Sequence, residues 1–299
     1  MRIGIGIPTV VPHDRPELLL EWARRADAAG FSSLSVLDRL VYENPEPLVT
    51  LAIVAGVTKR VRLLTSVLLA PLRPAGLLAK EAATLDMLSG GRLTLGLGVG
   101  NREDDFTASP AVYRNRGAHF EEQLATMKQI WEGGPAAKGA GPAGPAPARK
   151  GGPELLIGGR APAALRRSAR WGDGYVIGSV SNPEAARQTY DVVAAEWKAL
   201  GKPGRPLFVG GLACAIGEEA ARITMEEVQR YYAYQGGPPG NAPGRPGPST
   251  AAGARLLPHT PAAIKEQLKA CEAAGVDEVL LRPGVFDPEQ VDMLASAAL

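Results

Sequence analysis

Glu154-Leu155-Leu156-Ile157-Gly158-Gly159-Arg160-Ala161-Pro162-Ala163-Ala164-Leu165-Arg166-Arg167-Ser168-Ala169-Arg170-Trp171-Gly172-Asp173-Gly174-Tyr175-Val176-Ile177 is the stretch that decides the fold. A short apolar run (154–157) meets a Gly-Gly turn, Pro162 opens a helical pattern (162–171), and a second apolar run (175–177) follows at once. Two short strands joined by a helix are the unit of a parallel sheet covered by helices, because parallel neighbours need a crossover connection.

The same unit repeats in both directions. Toward the N-terminus, strands are read at 2–7, 34–37, 61–68 and 93–97, with helices from Pro16 to Gly30 and over 47–58, 75–88 and 114–131. Toward the C-terminus follow a helix at 183–200, a strand at 207–215, helices at 218–234 and 261–274, a strand at 278–281 and a last helix from Pro288. Eight strand–helix repeats predict an α/β chain folded as one (β/α)8 TIM barrel spanning residues 1–299, with its chemistry at the C-terminal strand ends.

Composition agrees with a globular body carrying two irregular excursions. Of 36 Gly and 26 Pro, 7 and 5 fall in residues 133–153, after the fourth helix, and 5 of each fall in 236–249, before the eighth strand. Neither stretch has an apolar pattern that could build a second core, so both are read as surface excursions that are either dispensable or shape the pocket. A net charge of +2 gives no basic excess to displace counterions, which argues against nucleic acid as a partner. The N-terminal residues enter a strand without a signal-peptide pattern, and no apolar run is long enough for a membrane span, so a cytoplasmic protein is expected. Cys214 and Cys271 lack metal or redox spacing, and His13, His119 and His259 form no His-x-His, so no metal is expected.

The strand ends are small and polar: Asp38-Arg39, Thr65-Ser66-Val67, Gly98-Val99-Gly100-Asn101, Gly158-Gly159-Arg160, Gly178-Ser179 and Arg282-Pro283. No Lys is among them, which disfavours Schiff-base chemistry. Gly158-Gly159-Arg160 ahead of a helix suits a phosphate, since bare backbone N–H groups and the helix field both favour an anion; it is equally an ordinary strand–helix turn. Gly178-Ser179 would complete such a cup. Gly96-Leu97-Gly98-Val99-Gly100 has the wrong spacing for a dinucleotide fingerprint and reads either as close backbone approach to a flat ligand or as a tight turn.

Several spaced segments resemble one family. Residues 30–39 (GFSSLSVLDR), 64–68 (LTSVL), 77–81 (LLAKE), 85–93 (LDMLSGGRL), Gly96 to Gly100 with Asp104-Asp105-Phe106, and 153–159 with 163–167 and 172–175 are similar to the bacterial luciferase-like flavin oxidoreductases across nearly the whole chain. The resemblance implies FMN or the deazaflavin F420 at the C-terminal face, a non-prolyl cis peptide at Ser66-Val67, and a phosphate site at Gly158, Gly159 and Arg160. It also implies a small-molecule substrate, a separate flavin or F420 reductase and a homodimer. From their place at the strand ends, Asp38, Thr65, Gly98, Gly100, Asn101, Gly178 and Ser179 are read as completing the cofactor site. Many relatives carry Asp-His where this chain has Asp38-Arg39. Arg does not titrate near neutral pH, so proton shuttling is lost there, which tips the reading slightly toward FMN and monooxygenation over F420-dependent hydride transfer, with a flavin-binding relative that has lost catalysis as the other alternative. Arg39 is left to bind an anionic substrate, to stabilise a reduced flavin, or to pair with Asp38 or a neighbour. His13, in the first strand–helix loop, is the other candidate acid or base.

Overall fold

The computed structural model describes residues 1–11, 15–233 and 257–299. The strands are β1 (Arg2–Gly6), β2 (Ser33–Val36), β3 (Arg62–Thr65), β4 (Leu68–Leu69), β5 (Leu93–Gly98), β6 (Glu154–Gly158), β7 (Gly174–Ile177), β8 (Leu207–Ala213) and β9 (Glu278–Arg282). All pairings are parallel, and β9 returns to β1 while β3 and β4 both pair with β5, so the sheet closes. β3 and β4 are halves of one barrel strand, which makes the eight-stranded TIM barrel that the repeats predict.

That third strand departs from the continuous run read at 61–68. Leu64 pairs with Thr94 and Leu68 with Leu97, so three residues between these pairs (65–67) face two on β5 (95–96). The extra residue is a bulge. It falls where the Ser66-Val67 peptide is cis, as the resemblance implies.

The helices are α1 (Glu17–Ala29), α2 (Pro47–Val57), α3 (Ala75–Leu88), α4 (Glu103–Thr107), α5 (Arg116–Trp131), α6 (Pro162–Trp171), α7 (Pro183–Ala199), α8 (Glu218–Ala233), α9 (Pro261–Ala273) and α10 (Glu289–Ala298). Their buried faces close over the outward residues of the strands, forming one core that includes Trp22, Phe31, Phe120, Tyr175 and Phe208. The short α4 was not legible beforehand. None of the described helices is long and apolar enough to cross a membrane.

Successive strand residues alternate between the helices and the barrel axis, so the interior is layered. Its middle layer is an apolar cluster of Leu64, Leu156, Val176, Val209 and Leu280. One step toward the N-terminal ends lies an ionic layer: Arg62 donates to Glu154 at 2.8 Å and Thr94 at 3.1 Å and pairs with the fully buried Glu278. Ser32 and Ser33 hydroxyls donate to Glu278 at 2.6 Å, and Arg2 lies 3.4 Å from it. One step the other way, the top layer brings Ser66, Gly158, Gly178, Gly211 and Arg282 to the mouth.

The first Gly/Pro excursion does not reach that mouth. Residues 133–153 join α5 to the start of β6, on the N-terminal side of the barrel, where Asp86 accepts the Ala148 N–H at 2.9 Å and Arg149 pairs with Asp173 at 2.9 Å. A helix-to-strand connection lies on the face opposite the catalytic end, so the pocket-shaping role considered for this stretch is corrected. The second excursion, 236–249, lies outside the described residues, as does His13.

Candidate active site at the C-terminal face

Each strand end delivers its residues to the mouth for a local reason. Asp38, buried just after β2, accepts the Leu69 N–H at 2.8 Å and pairs with Arg73 at 2.7 Å. It thereby fixes the backbone directly after the cis peptide. Thr65, fully buried, donates to the Gly96 carbonyl at 2.8 Å.

Arg39 is committed elsewhere than to its neighbour Asp38. Its Nε donates to Asp105 at 2.8 Å and its guanidinium lies 3.5 Å from Asp104. Asp105, also buried, accepts the N–H groups of Leu40 and Val41 at 3.1 and 2.9 Å. A buried cation clasped by carboxylates has its charge answered within the protein, so of the alternatives left open for Arg39 the structure shows the pairing with a neighbour, Asp105 rather than Asp38. The short α4 exists to carry Asp104 and Asp105 to that arginine.

The glycines of the mouth have two different uses. A Cβ at Gly98 would lie 2.8 Å from the Val67 side chain, and one at Gly158 would lie 3.0 Å from it. Those positions are bare because Val67, turned inward at the bulge, occupies the space. Around Gly178, by contrast, nothing lies within 4 Å of where a Cβ would be, so this strand end is open. Gly100 lies against Leu69 and Phe106, and its carbonyl accepts from Arg116 at 3.0 Å. Exposed Asn101 accepts the Tyr113 hydroxyl at its carbonyl at 3.0 Å, and Ser179 meets Ser181 at 2.8 Å.

The turn after β6 is built to present N–H groups. Gly159 takes a left-handed φ of 133°, which favours glycine. Its carbonyl accepts the Tyr175 hydroxyl at 2.9 Å, and burial pushes that phenol up to about 12, so it stays a donor. In a trans peptide the N–H opposes the carbonyl, so the Arg160 N–H points away from the core. Among the described residues, the N–H groups of Arg160, Ala161 and Ala163 have no acceptor, α6 has no side-chain cap, and Arg160 makes no ion pair.

α8 roofs one side. Thr224 accepts the Gly284 N–H at 2.9 Å, Arg230 donates to the Val10 carbonyl at 3.0 Å, and Tyr231 meets Tyr42 edge-on at 5.8 Å. Arg39 sits 6.0 Å from the Tyr231 ring. Burial holds the Tyr231 phenol above its ordinary value, so it is neutral at physiological pH. Beneath this roof Arg282 crosses the mouth, donating to Ser66 Oγ at 2.7 Å and to the Gly178 carbonyl at 3.0 Å. Arg282 was visible as a strand end, but a lone Arg before Pro carries no signal that its side chain lies inside the barrel.

Two open depressions of about 530 and 580 Å3 lie elsewhere, lined by Lys128, Asp173 and Lys202 and by Arg2, Glu154 and Asp277. They open at the N-terminal strand ends, the face associated with stability rather than chemistry.

Comparison with known proteins places this mouth in context. The family model described as luciferase-like monooxygenase matches residues 1–298. An uncharacterized protein of Mycobacterium tuberculosis is 30% identical over 199 residues, covering 55% of this chain and 66% of the relative. The F420-dependent glucose-6-phosphate dehydrogenase of Beutenbergia cavernae is 31% identical over 221 residues, covering 66% and 63%. The chain thus matches slightly less than two thirds of the length of these curated relatives. Among solved structures, the oxygenating constituent of 3,6-diketocamphane monooxygenase from Pseudomonas putida, in complex with FMN, has the same fold, with a TM-score of 0.77 at 18% identity over 99% of this chain and 96% of that one.

Proposed function

The chain belongs to the luciferase-like monooxygenase family, and from that premise we propose that it is a flavin-type oxidoreductase of a small organic molecule, holding FMN or F420 at the C-terminal face. The observation that carries this reading is the mouth itself. Its turn after β6 offers N–H groups without acceptors beside Arg160, Gly178 leaves open space, and inward Val67 gives an apolar surface on which a flat ring can rest. These residues fit a planar, phosphate-bearing cofactor.

When bound, such a cofactor supplies the redox chemistry. The chain's own residues do the rest. Gly159 and the start of α6 bind the phosphate, Asp38 locks the strand behind the ring, and α8 with Tyr42 and Tyr231 excludes water from one side. The Arg39–Asp105 pair stands where many relatives place a titrating His, and it does not move a proton. We therefore favour FMN and monooxygenation, with a separate reductase supplying reduced cofactor. The alternative, F420-dependent hydride transfer, is supported by the F420-dependent dehydrogenase among the relatives.

Titrating the purified protein with FMN and with F420, followed by visible absorption, tests the reading. We expect saturable binding of one of them at micromolar concentration. Binding of neither well above that range removes the proposal.

A homodimer is supported by α2 and α3. In α2 the sole polar side chain, Thr50, is buried, while Val49 and Ile53 are exposed; Leu77 and Leu88 of α3 are exposed beside it. An outward apolar face of this kind marks an interaction surface. Ile53→Glu is expected to convert the dimer to monomer in light scattering, and a wild-type chain that is monomeric at high concentration overturns the assignment.

A further inference from the structure

Arginines are common at this mouth, but their charges are mostly answered. Arg39 faces Asp105 and Asp104, Arg73 faces Asp38 and Glu46, and Arg230 faces Glu43 and Glu227. Arg282 differs. Among the described residues it makes no ion pair, and its hydrogen-bond acceptors are all neutral: the Gly178 carbonyl, and the Ser66 hydroxyl and carbonyl.

The top layer is shaped around this side chain. Gly6 lies against its stem, and a Cβ on Gly211 would come within 2.5 Å of its guanidinium carbon. Glycines therefore let the side chain reach from β9 across to Ser66 on the bulged third strand. The two elements that grip the guanidinium are that bulge and the open end of β7. Its Nε donates to no protein atom among the described residues. Tyr231 and Tyr232 bear on it electrostatically, and burial lowers its own value from the ordinary one, although a guanidinium keeps its charge in proteins. A fixed, partly desolvated cation without a counter-ion, roofed on one side by α8, favours negative charge on whatever occupies the mouth.

We propose that Arg282 is the anion-binding residue of the site, holding a delocalised oxyanion of the bound ligand: either the anionic reduced ring of the cofactor or a carboxylate or enolate of the substrate. This rests on the cofactor reading above, and it moves to Arg282 the role that sequence had suggested for Arg39. The bidentate fork matters as well as the charge, because Lys cannot grip Ser66 and Gly178 together while facing the ligand.

The test compares wild type, Arg282→Met and Arg282→Lys, using oxidised FMN, reduced FMN and benzoate as probes. If the cofactor supplies the anion, Arg282→Met weakens reduced FMN at least tenfold more than oxidised FMN, which lowers the two-electron potential of the bound cofactor by about 30 mV per tenfold. If the substrate supplies it, both redox states bind as in wild type, and the perturbation of FMN absorption by benzoate is lost in Arg282→Met. Arg282→Lys should restore part of either effect, which a fold defect would not. Wild-type behaviour of Arg282→Met with all three probes overturns the proposal while leaving the cofactor reading intact. Should wild type bind no cofactor, that reading fails separately, and calorimetry of benzoate with the bare proteins decides: equal binding, or none, to wild type and Arg282→Met overturns the inference.

Discussion

Arg62→Ala is expected to destabilise the fold by about 3–5 kcal/mol at neutral pH, the range for removing one partner of a buried ion pair. The loss arises because Glu278, fully buried, would keep as a cation only Arg2, which is 3.4 Å away and 41% exposed. Thermal melting should fall by roughly 5–8 °C. The sign of the pH dependence is specific. Burial alone would raise the Glu278 carboxyl, but Arg62, the Ser32 and Ser33 hydroxyls and Arg2 outweigh it and hold it below its ordinary value of 4.5. Its stabilisation is therefore complete above the unfolded value and is lost as pH falls through the folded one. In the variant the carboxyl rises instead, so protonation relieves it, and the stability gap between wild type and variant should begin to narrow above about pH 4.5, as pH falls through the variant's raised value, and go on narrowing until the wild-type carboxyl is also protonated. Arg62→Met with Glu278→Gln, which removes both charges, should recover much of the loss. A variant that melts with wild type at pH 7 would show that the ionic layer is not structural.

Ala163→Asp is expected to weaken FMN at least tenfold, about 1.4 kcal/mol, without weakening the fold. Ala163 is exposed in the first turn of α6, where an acidic residue stabilises the helix by roughly 0.3–1 kcal/mol. The same carboxylate would stand against the phosphate; at about 4 Å and an effective dielectric near 20 the repulsion is about 4 kcal/mol per unit of phosphate charge, and solvent reduces it. Gly159→Asp would place a similar charge but adds strain at a left-handed φ and a contact of 2.6 Å with the Ala164 side chain, so its affinity loss would have two causes. Riboflavin, which lacks the phosphate, provides the control. Unchanged FMN affinity in Ala163→Asp removes the phosphate site, and an equal loss for riboflavin would assign the effect to disruption of the turn.

Local pattern carried the barrel. α3 and α6 begin and end where their Pro, Gly and apolar spacing put them; apart from the third strand, which is split at its bulge, and the unread α4, the remaining elements differ only at their ends, because capping and fraying are decided by neighbours. What pattern could not carry is contact across the axis. Arg39 meets Asp105, 66 positions away, through a five-residue helix whose sequence is mostly acidic and has no apolar stripe. Gly98 and Gly158 read as bare backbone awaiting a ligand, but both clear space for Val67, and nothing along either strand announces which side chain comes from the third. Arg282 is the same case reversed: the residue was visible, its direction was not. The site was legible as a set of strand ends, while the distribution of charge among them required the closed barrel.

Glu278 also sets an order of events. It sits on β9, which enters from the last portion of the chain and pairs with both β8 and β1. Until β9 is in place, β1 and β8 are both unpaired edges, the condition that invites intermolecular strand pairing. During that interval Arg62, already positioned by β3, has Glu154 but lacks its buried partner. The last strand thus brings the missing hydrogen bonds and the missing counter-charge in one docking step. During synthesis from the N-terminus the sheet stays open until its final segment has emerged, so protection from self-association is acquired late and all at once.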